Sequence, residues 1–119
     1  MLRHYVFLKF RDDTSDGHVT AFCEHMLALR GAIGGIEHLE IGRDELHDAR
    51  SWDLVLIMEF ASLDALRAYQ RHPQHLALMA FNAPFVADVA TVDFSRAERS
   101  CAWTAQHRPR AERARAKEP

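Results

Sequence analysis

Tyr69, His72 and His75 stand within one or two turns of chain of one another, in the run Tyr69-x-x-His72-Pro73-x-His75. Together they hold an ionisable ring hydroxyl and two imidazoles. An unperturbed imidazole titrates at about pH 6.5, so it can take or give a proton near neutrality, and it does so best when a hydrogen bond fixes its tautomer. A phenol beside it can donate a hydrogen bond to an oxygen on which negative charge develops. A third imidazole, His4, lies far upstream. Metal chemistry has weaker support. His72 and His75 are three apart, and Asp44, His47 and Asp48 crowd one loop, but neither set has the paired Cys/His spacing of a zinc site, and Pro73 spoils a simple helical pair. No nucleotide cofactor is expected either, because Gly34-Gly35 is an isolated pair and not a glycine-rich phosphate loop.

These residues need elements to hold them. Residues 53–60 (DLVLIMEF) predict a strand with Leu54, Leu56, Met58 and Phe60 on one face and Val55 and Ile57 on the other. Ser62 is an N-cap for a helix carrying Leu63, Leu66 and Tyr69 as its apolar stripe, and Pro73 forces that helix to break and restart. Upstream, LRHYVFLKF alternates, with Leu2, His4, Val6, Leu8 and Phe10 on one face and Arg3, Tyr5, Phe7 and Lys9 on the other. A helix follows, marked by Val19, Phe22, Cys23, Met26 and Ile33. Gly34 and Gly35 end it, and IEHLEIGRDE gives a second strand with a bulge expected at Gly42. ADVATVDF is the last strand, after a connection that contains Pro84. The order β-α-β-β-α-β is that of a ferredoxin-like α+β fold, a four-stranded antiparallel sheet with two helices on one face. Tyr5, Phe7, Val55 and Ile57 then leave an apolar centre on the other face. Burying it stabilises by about 25 cal/mol per Å² of apolar area, and the simplest cover is a second copy of the chain.

Composition sets outer bounds. The chain has 119 residues, is 48% hydrophobic and carries a net charge of −2, which suits one soluble domain. Residues 1–10 include Arg3, His4 and Lys9 and no long apolar core, and no stretch reaches the roughly 20 apolar residues of a membrane helix, so a cytoplasmic protein with no membrane partner is expected. Cys23 and Cys101 are too few and too poorly matched for a disulfide framework and are expected as free thiols. Charge is uneven: residues 1–94 carry 8 Lys and Arg against 14 Asp and Glu, net −6, whereas residues 95–119 carry 7 against 3, net +4. The expected organisation is a folded domain over residues 1–96 and a basic extension over 97–119. An acidic body repels phosphates, which argues against a nucleic-acid partner.

Three motifs occur together in order: H-x-V-x-x-K-F at residues 4–10, W-D-L-V-x-x-x-x-F at residues 52–60, and Tyr69-x-x-His72-Pro73-x-His75. In this combination the sequence resembles the stress-responsive dimeric A/B barrel family (Dabb) over residues 2–95. The resemblance implies a homodimer whose two sheets face each other with the helices outside. Some members, of the olivetolic acid cyclase type, close polyketide chains by a cofactor-free aldol reaction, and their polar site groups map onto His4, Tyr69 and His75. A fourth group, a histidine near the start of the third strand, is replaced here by Leu54, which removes a proton relay and makes the expected pocket more apolar.

On that mapping His75 is the general base, Tyr69 the hydrogen-bond donor to an enolate oxygen, and His4 a group that binds a substrate hydroxyl or orients the others. The pocket is expected between sheet and helices, lined by Val6, Leu8, Phe22, Met26, Leu54, Leu56, Met58, Phe81 and His72. Each residue also has a plainer role. His4 fits a core histidine bonded to a carbonyl, His72 a helix-break residue bonding backbone, Tyr69 a packing ring, and Phe22, Met26 and Phe81 core. Two functions follow: a cofactor-free acid/base enzyme of cyclase or lyase type acting on a small aromatic or polyketide-like carbonyl compound, or a non-catalytic stress-response dimer that binds a hydrophobic ligand or only packs. The extension lacks the apolar spacing needed to dock, so deletion of residues 97–119 leaves the melting temperature within about 5 °C of the full chain, roughly 1 kcal/mol for a domain of this size. A larger drop in thermal melts would show that Trp103 anchors it.

Overall fold

The computed structural model describes residues 1–95; the basic extension expected at 97–119, with Cys101 and Trp103, lies outside the described residues. In chain order the elements are β1 (Leu2–Phe10), α1 (Asp16–Ala32), β2 (Ile36–Arg43), β3 (Leu54–Phe60), α2 (Leu63–Arg71), α3 (Pro73–Asn82), a 3-10 turn (Ala83–Phe85) and β4 (Val86–Ser95). The four strands form one antiparallel sheet in the order β2-β3-β1-β4, the ferredoxin-like arrangement expected from the alternation. The second helix of that scheme is two helices, because Pro73 breaks it and occupies the first turn of the next. Ser15 and Ser62 cap α1 and α2, their hydroxyls accepting from the His18 and Ala65 amides, each at 3.1 Å.

Register decides which side chains meet. β1 pairs with β3 so that His4 lies opposite Met58 and Leu8 opposite Leu54, and with β4 so that His4 lies opposite Asp93. The helix-facing layer holds the core: Leu2, Leu8, Phe10, Leu54, Leu56, Met58 and Phe60 from the strands meet Phe22, Met26, Leu29, Leu66, Tyr69 and Leu78 from the helices. Phe22, Phe60, Met26 and Met58 are essentially sealed. Each stabilises by about 1.5–3 kcal/mol relative to an exposed position.

Two glycines behave differently from one another and one departs from expectation. Gly35 takes φ +96°, the left-handed conformation that lets the chain leave α1 and enter β2. Gly42 does not mark a bulge. It pairs in regular register with Val55, and the register shift in β2 falls between Ile36 and His38. What Gly42 supplies is room, since a Cβ there would lie 3.2 Å from the Val55 side chain. The opposite face of the sheet carries Tyr5, Phe7, Val55, Ile57 and, from β4, Val92 and Phe94, with Tyr5 and Phe94 stacked at 5.8 Å. Val92 and Phe94 are exposed within the single chain, so the apolar centre extends one strand further than the sequence pattern indicated.

Candidate functional site

Four elements deliver the ring-bearing residues to one place. His4 comes from β1, Phe60 from β3, Tyr69 from α2 and His75 from α3. His4 meets Phe60 edge-on with centroids 6.3 Å apart, Phe60 packs on Tyr69 at 5.3 Å, and Tyr69 packs on His75 at 4.4 Å. His4, Tyr69 and His75 are 5%, 3% and 6% exposed. The three residues assigned catalytic roles from the sequence therefore lie in one buried cluster.

The hydrogen bonds of the two imidazoles set their chemistry. His75 Nδ1 lies 3.1 Å from the Gln70 carbonyl oxygen. A carbonyl only accepts, so Nδ1 carries the proton, and in the neutral ring Nε2 holds a lone pair. Burial pushes the His75 pKa below its ordinary value of 6.5, the hydrogen bond to Gln70 opposes that, and the neighbouring His4 and His72 add to the lowering. His4 Nδ1 donates to Asp93 Oδ1 across the β1–β4 pair. Burial raises the Tyr69 pKa well above the ordinary tyrosine value, so the ring stays a neutral hydroxyl and a donor. The arrangement offers a base that is uncharged at neutral pH, a phenol that cannot easily ionise, and a second imidazole held by a carboxylate.

His72 sits at the break itself. Its Nδ1 accepts the Gln74 amide at 3.1 Å and its carbonyl accepts the Leu76 amide at 3.0 Å, so it caps α3. Leu8, Phe22, Met26, Leu54, Leu56 and Met58 are core residues of the helix-facing layer, with Val6 half-buried against them. Phe81 requires a correction. It was expected in the wall between sheet and helices, yet it is 40% exposed, stacked on His18 at 4.8 Å and edge-on to His25 at 5.4 Å. The buried stripe of α3 is His75, Leu78 and Asn82, which leaves position 81 beside it, towards α1. Asn82 takes the inner place because its Oδ1 accepts from His18 Nε2 at 2.8 Å.

Two surface depressions lie away from the cluster. The larger, about 500 Å³, is bordered by Phe10, Asp16, Arg43, Asp44, His47 and Asp53. Phe10 is six residues along β1 from His4, roughly 20 Å. The smaller, about 270 Å³, is a notch among Phe7, Gly42, Trp52 and Val55 on the face away from the helices. Around the larger depression Asp16, Asp44 and Asp53 are already bonded to Arg43, to the His47 amide and to the Phe10 amide. Among the described residues no group of three or more His, Cys, Asp or Glu side chains is placed to hold a metal, Cys23 is a free thiol, and no helix is long and apolar enough to cross a membrane.

Asp93 is the site residue that sequence reasoning missed. Its position depends on the β1–β4 register: Phe10 pairs with Val86, and the register shift between Lys9 and Phe10 brings Asp93, not Val92, opposite His4, which no local sequence pattern marks.

The sequence profile of the stress responsive A/B barrel domain (Dabb) matches residues 2–96. No curated protein matches the chain by sequence. Among solved structures, a dimeric ferredoxin-like protein of unknown function from Thermobifida fusca is 28% identical, with a TM-score of 0.72 over 80% of this chain and 90% of that one. A dimeric protein of unknown function and ferredoxin-like fold from Bacteroides fragilis is 29% identical, with a TM-score of 0.71 over 80% and 95%. Hydroxynitrile lyase from Passiflora edulis shares the fold at 14% identity, with a TM-score of 0.76 over 83% and 95%.

The lowered His75 pKa has a consequence for stability. Below its ordinary value of 6.5 the unfolded chain protonates this ring while the folded chain resists, so the unfolded state binds more protons and stability is lost as pH falls from above 6.5 towards the lower folded value. The wild type therefore loses more stability between about pH 7.5 and about pH 5.5 than His75→Asn, whose amide nitrogen takes the place of Nδ1 towards the Gln70 carbonyl but does not titrate. Thermal melts of the two proteins check this, and parallel curves would contradict it.

Proposed function

The chain belongs to the stress responsive A/B barrel domain family (Dabb), and we propose that it works as a homodimer whose His75, Tyr69 and His4 carry out cofactor-free proton transfer on a small, largely apolar carbonyl compound. The observation that carries this reading is the tautomer of His75: a buried imidazole with Nδ1–H tied to a carbonyl and a pKa shifted down keeps Nε2 as an available base at neutral pH. In the reaction, Nε2 removes a proton from the carbon next to the carbonyl and the electron pair moves onto oxygen. The Tyr69 hydroxyl donates a hydrogen bond to that oxygen. His4, held by Asp93, orients the substrate through its remaining ring nitrogen. The enolate carbon then attacks a second carbonyl and the His75 imidazolium returns its proton to the new alkoxide, or the reverse sequence cleaves a carbon–carbon bond. The aliphatic wall of Val6, Leu8, Leu54, Leu56 and Met58 suits hydrocarbon or an aromatic ring. That a hydroxynitrile lyase has this fold is in keeping with a lyase or cyclase of this kind, and the free Cys23 thiol with a cytoplasmic setting.

One observation favours the alternative, a non-catalytic ligand-binding or structural dimer. The rings are packed against each other, and the two depressions do not reach them, so catalysis requires Tyr69 and His75 to part for a substrate. Turnover of a panel of aryl ketones and β-dicarbonyl compounds separates the two. His75→Ala lowers turnover by about 10²- to 10⁴-fold with the fold retained, and Tyr69→Phe lowers it less because the ring is kept. A large fall in melting temperature for His75→Ala, with ligand binding intact, assigns the histidine a structural role instead.

The homodimer is supported by the apolar sheet face and by the dimeric description of the two structures at 28% and 29% identity. Ile57 lies at its centre, between Tyr5 and Glu40 in register. Ile57→Asp places a second carboxylate beside Glu40 in that contact, at a cost of several kcal/mol, and splits or unfolds the dimer. Analytical ultracentrifugation reads the outcome, and a wild-type monomer at micromolar concentration would sink the assembly.

A further inference from the structure

In an uninterrupted helix the Gln70 carbonyl would accept the amide four residues on, that of Gln74. Here it does not. The Gln74 amide donates to His72 Nδ1 at 3.1 Å. His72 itself takes an extended backbone, φ −65° and ψ 134°, as a residue before proline is driven to do. Pro73 has no N–H to offer the Tyr69 carbonyl, which instead accepts the His72 amide at 3.1 Å. The Gln70 carbonyl is thereby left over at the end of α2, and His75 Nδ1 takes it at 3.1 Å.

We infer that the His72–Pro73 break is a positioning device for His75: proline and the His72 cap together keep the Gln70 carbonyl out of the helix ladder, so that it holds His75 Nδ1–H and leaves the lone pair on Nε2. Neither His72 nor Pro73 touches the reacting atoms. Pro73 prevents the ladder from forming, and His72 occupies the Gln74 amide, which an unbroken helix would give to Gln70. The consequence for catalysis rests on the proposed role of His75 as base, but the tautomer exists without a substrate and can be read without one.

The experiment uses the full chain labelled with ¹⁵N-histidine and records two-bond ¹H–¹⁵N correlations of the His75 ring at about pH 8, where a neutral imidazole is expected. The wild type shows Nδ1 protonated and Nε2 unprotonated. Pro73→Ala frees residue 72 to become helical and allows the Gln74 amide to reach Gln70, so the single Nδ1–H tautomer is lost. His72→Ala, which keeps the proline but removes the cap, also weakens it, and His72→Asn restores it because asparagine caps helices well. A wild-type ring protonated at Nε2 overturns the inference. So does a His75 that keeps Nδ1–H in both Pro73→Ala and His72→Ala, since the break would then be held by packing alone. An absence of enzymatic turnover leaves these spectra unaffected, so failure of the enzyme reading and failure of this inference are told apart.

Discussion

His4 and His75 lie buried, with Asn82, in a largely apolar layer between the sheet and its helices, and a buried polar group without a partner costs about 1–3 kcal/mol. Each ring is therefore committed through Nδ1, His4 to a carboxylate on the neighbouring strand and His75 to a carbonyl freed at a helix end. These commitments dictate much around them. Asp93 must stand opposite His4, which fixes the value of the β1–β4 register, and the second helix must break before His75, which requires the proline. The same two bonds leave Nε2 of each ring uncommitted to them. That is the arrangement on which the proposed proton transfer rests, with Tyr69 as the adjacent donor.

The two faces of the sheet divide the work. The helix-facing side carries the aliphatic and ring residues that enclose the site, while the other carries Tyr5, Phe7, Val55, Ile57, Val92 and Phe94. Because side chains alternate along each strand, the sequence that places His4 and Leu8 on one side necessarily places Tyr5 and Phe7 on the other. A sheet of four strands with helices on one side only leaves an apolar face open to water in the single chain, the face on which the proposed homodimer rests. Site and assembly are in this sense two outcomes of one alternating pattern.

The alternation of β1 and β3 and the proline-marked break made most of the fold legible in the sequence. So was the proximity of Tyr69 to His75, which follows from their separation across a break. Long-range pairings were harder. Asp93 carries no local mark of importance, since it acquires a role only when β4 pairs with β1. Phe81 was misplaced because the pattern of α3 was read as though every large apolar residue faced inward; Asn82 took the inner position instead through its bond to His18. Gly42 was read as a bulge, but it is the crowding of Val55 across the ladder that explains it, and that neighbour is invisible until the register is known.

Whether the buried cluster moves protons is tested most directly by following deuterium incorporation at the α-carbon of an aryl methyl ketone in D₂O by NMR. With His75 acting as a base through Nε2, the wild-type protein exchanges the α-protons faster than buffer alone, and His75→Asn, whose amide nitrogen stands in for Nδ1 towards Gln70 without a basic nitrogen, returns the rate to that of buffer. Equal exchange by the two proteins, or none above buffer by either, would contradict the account.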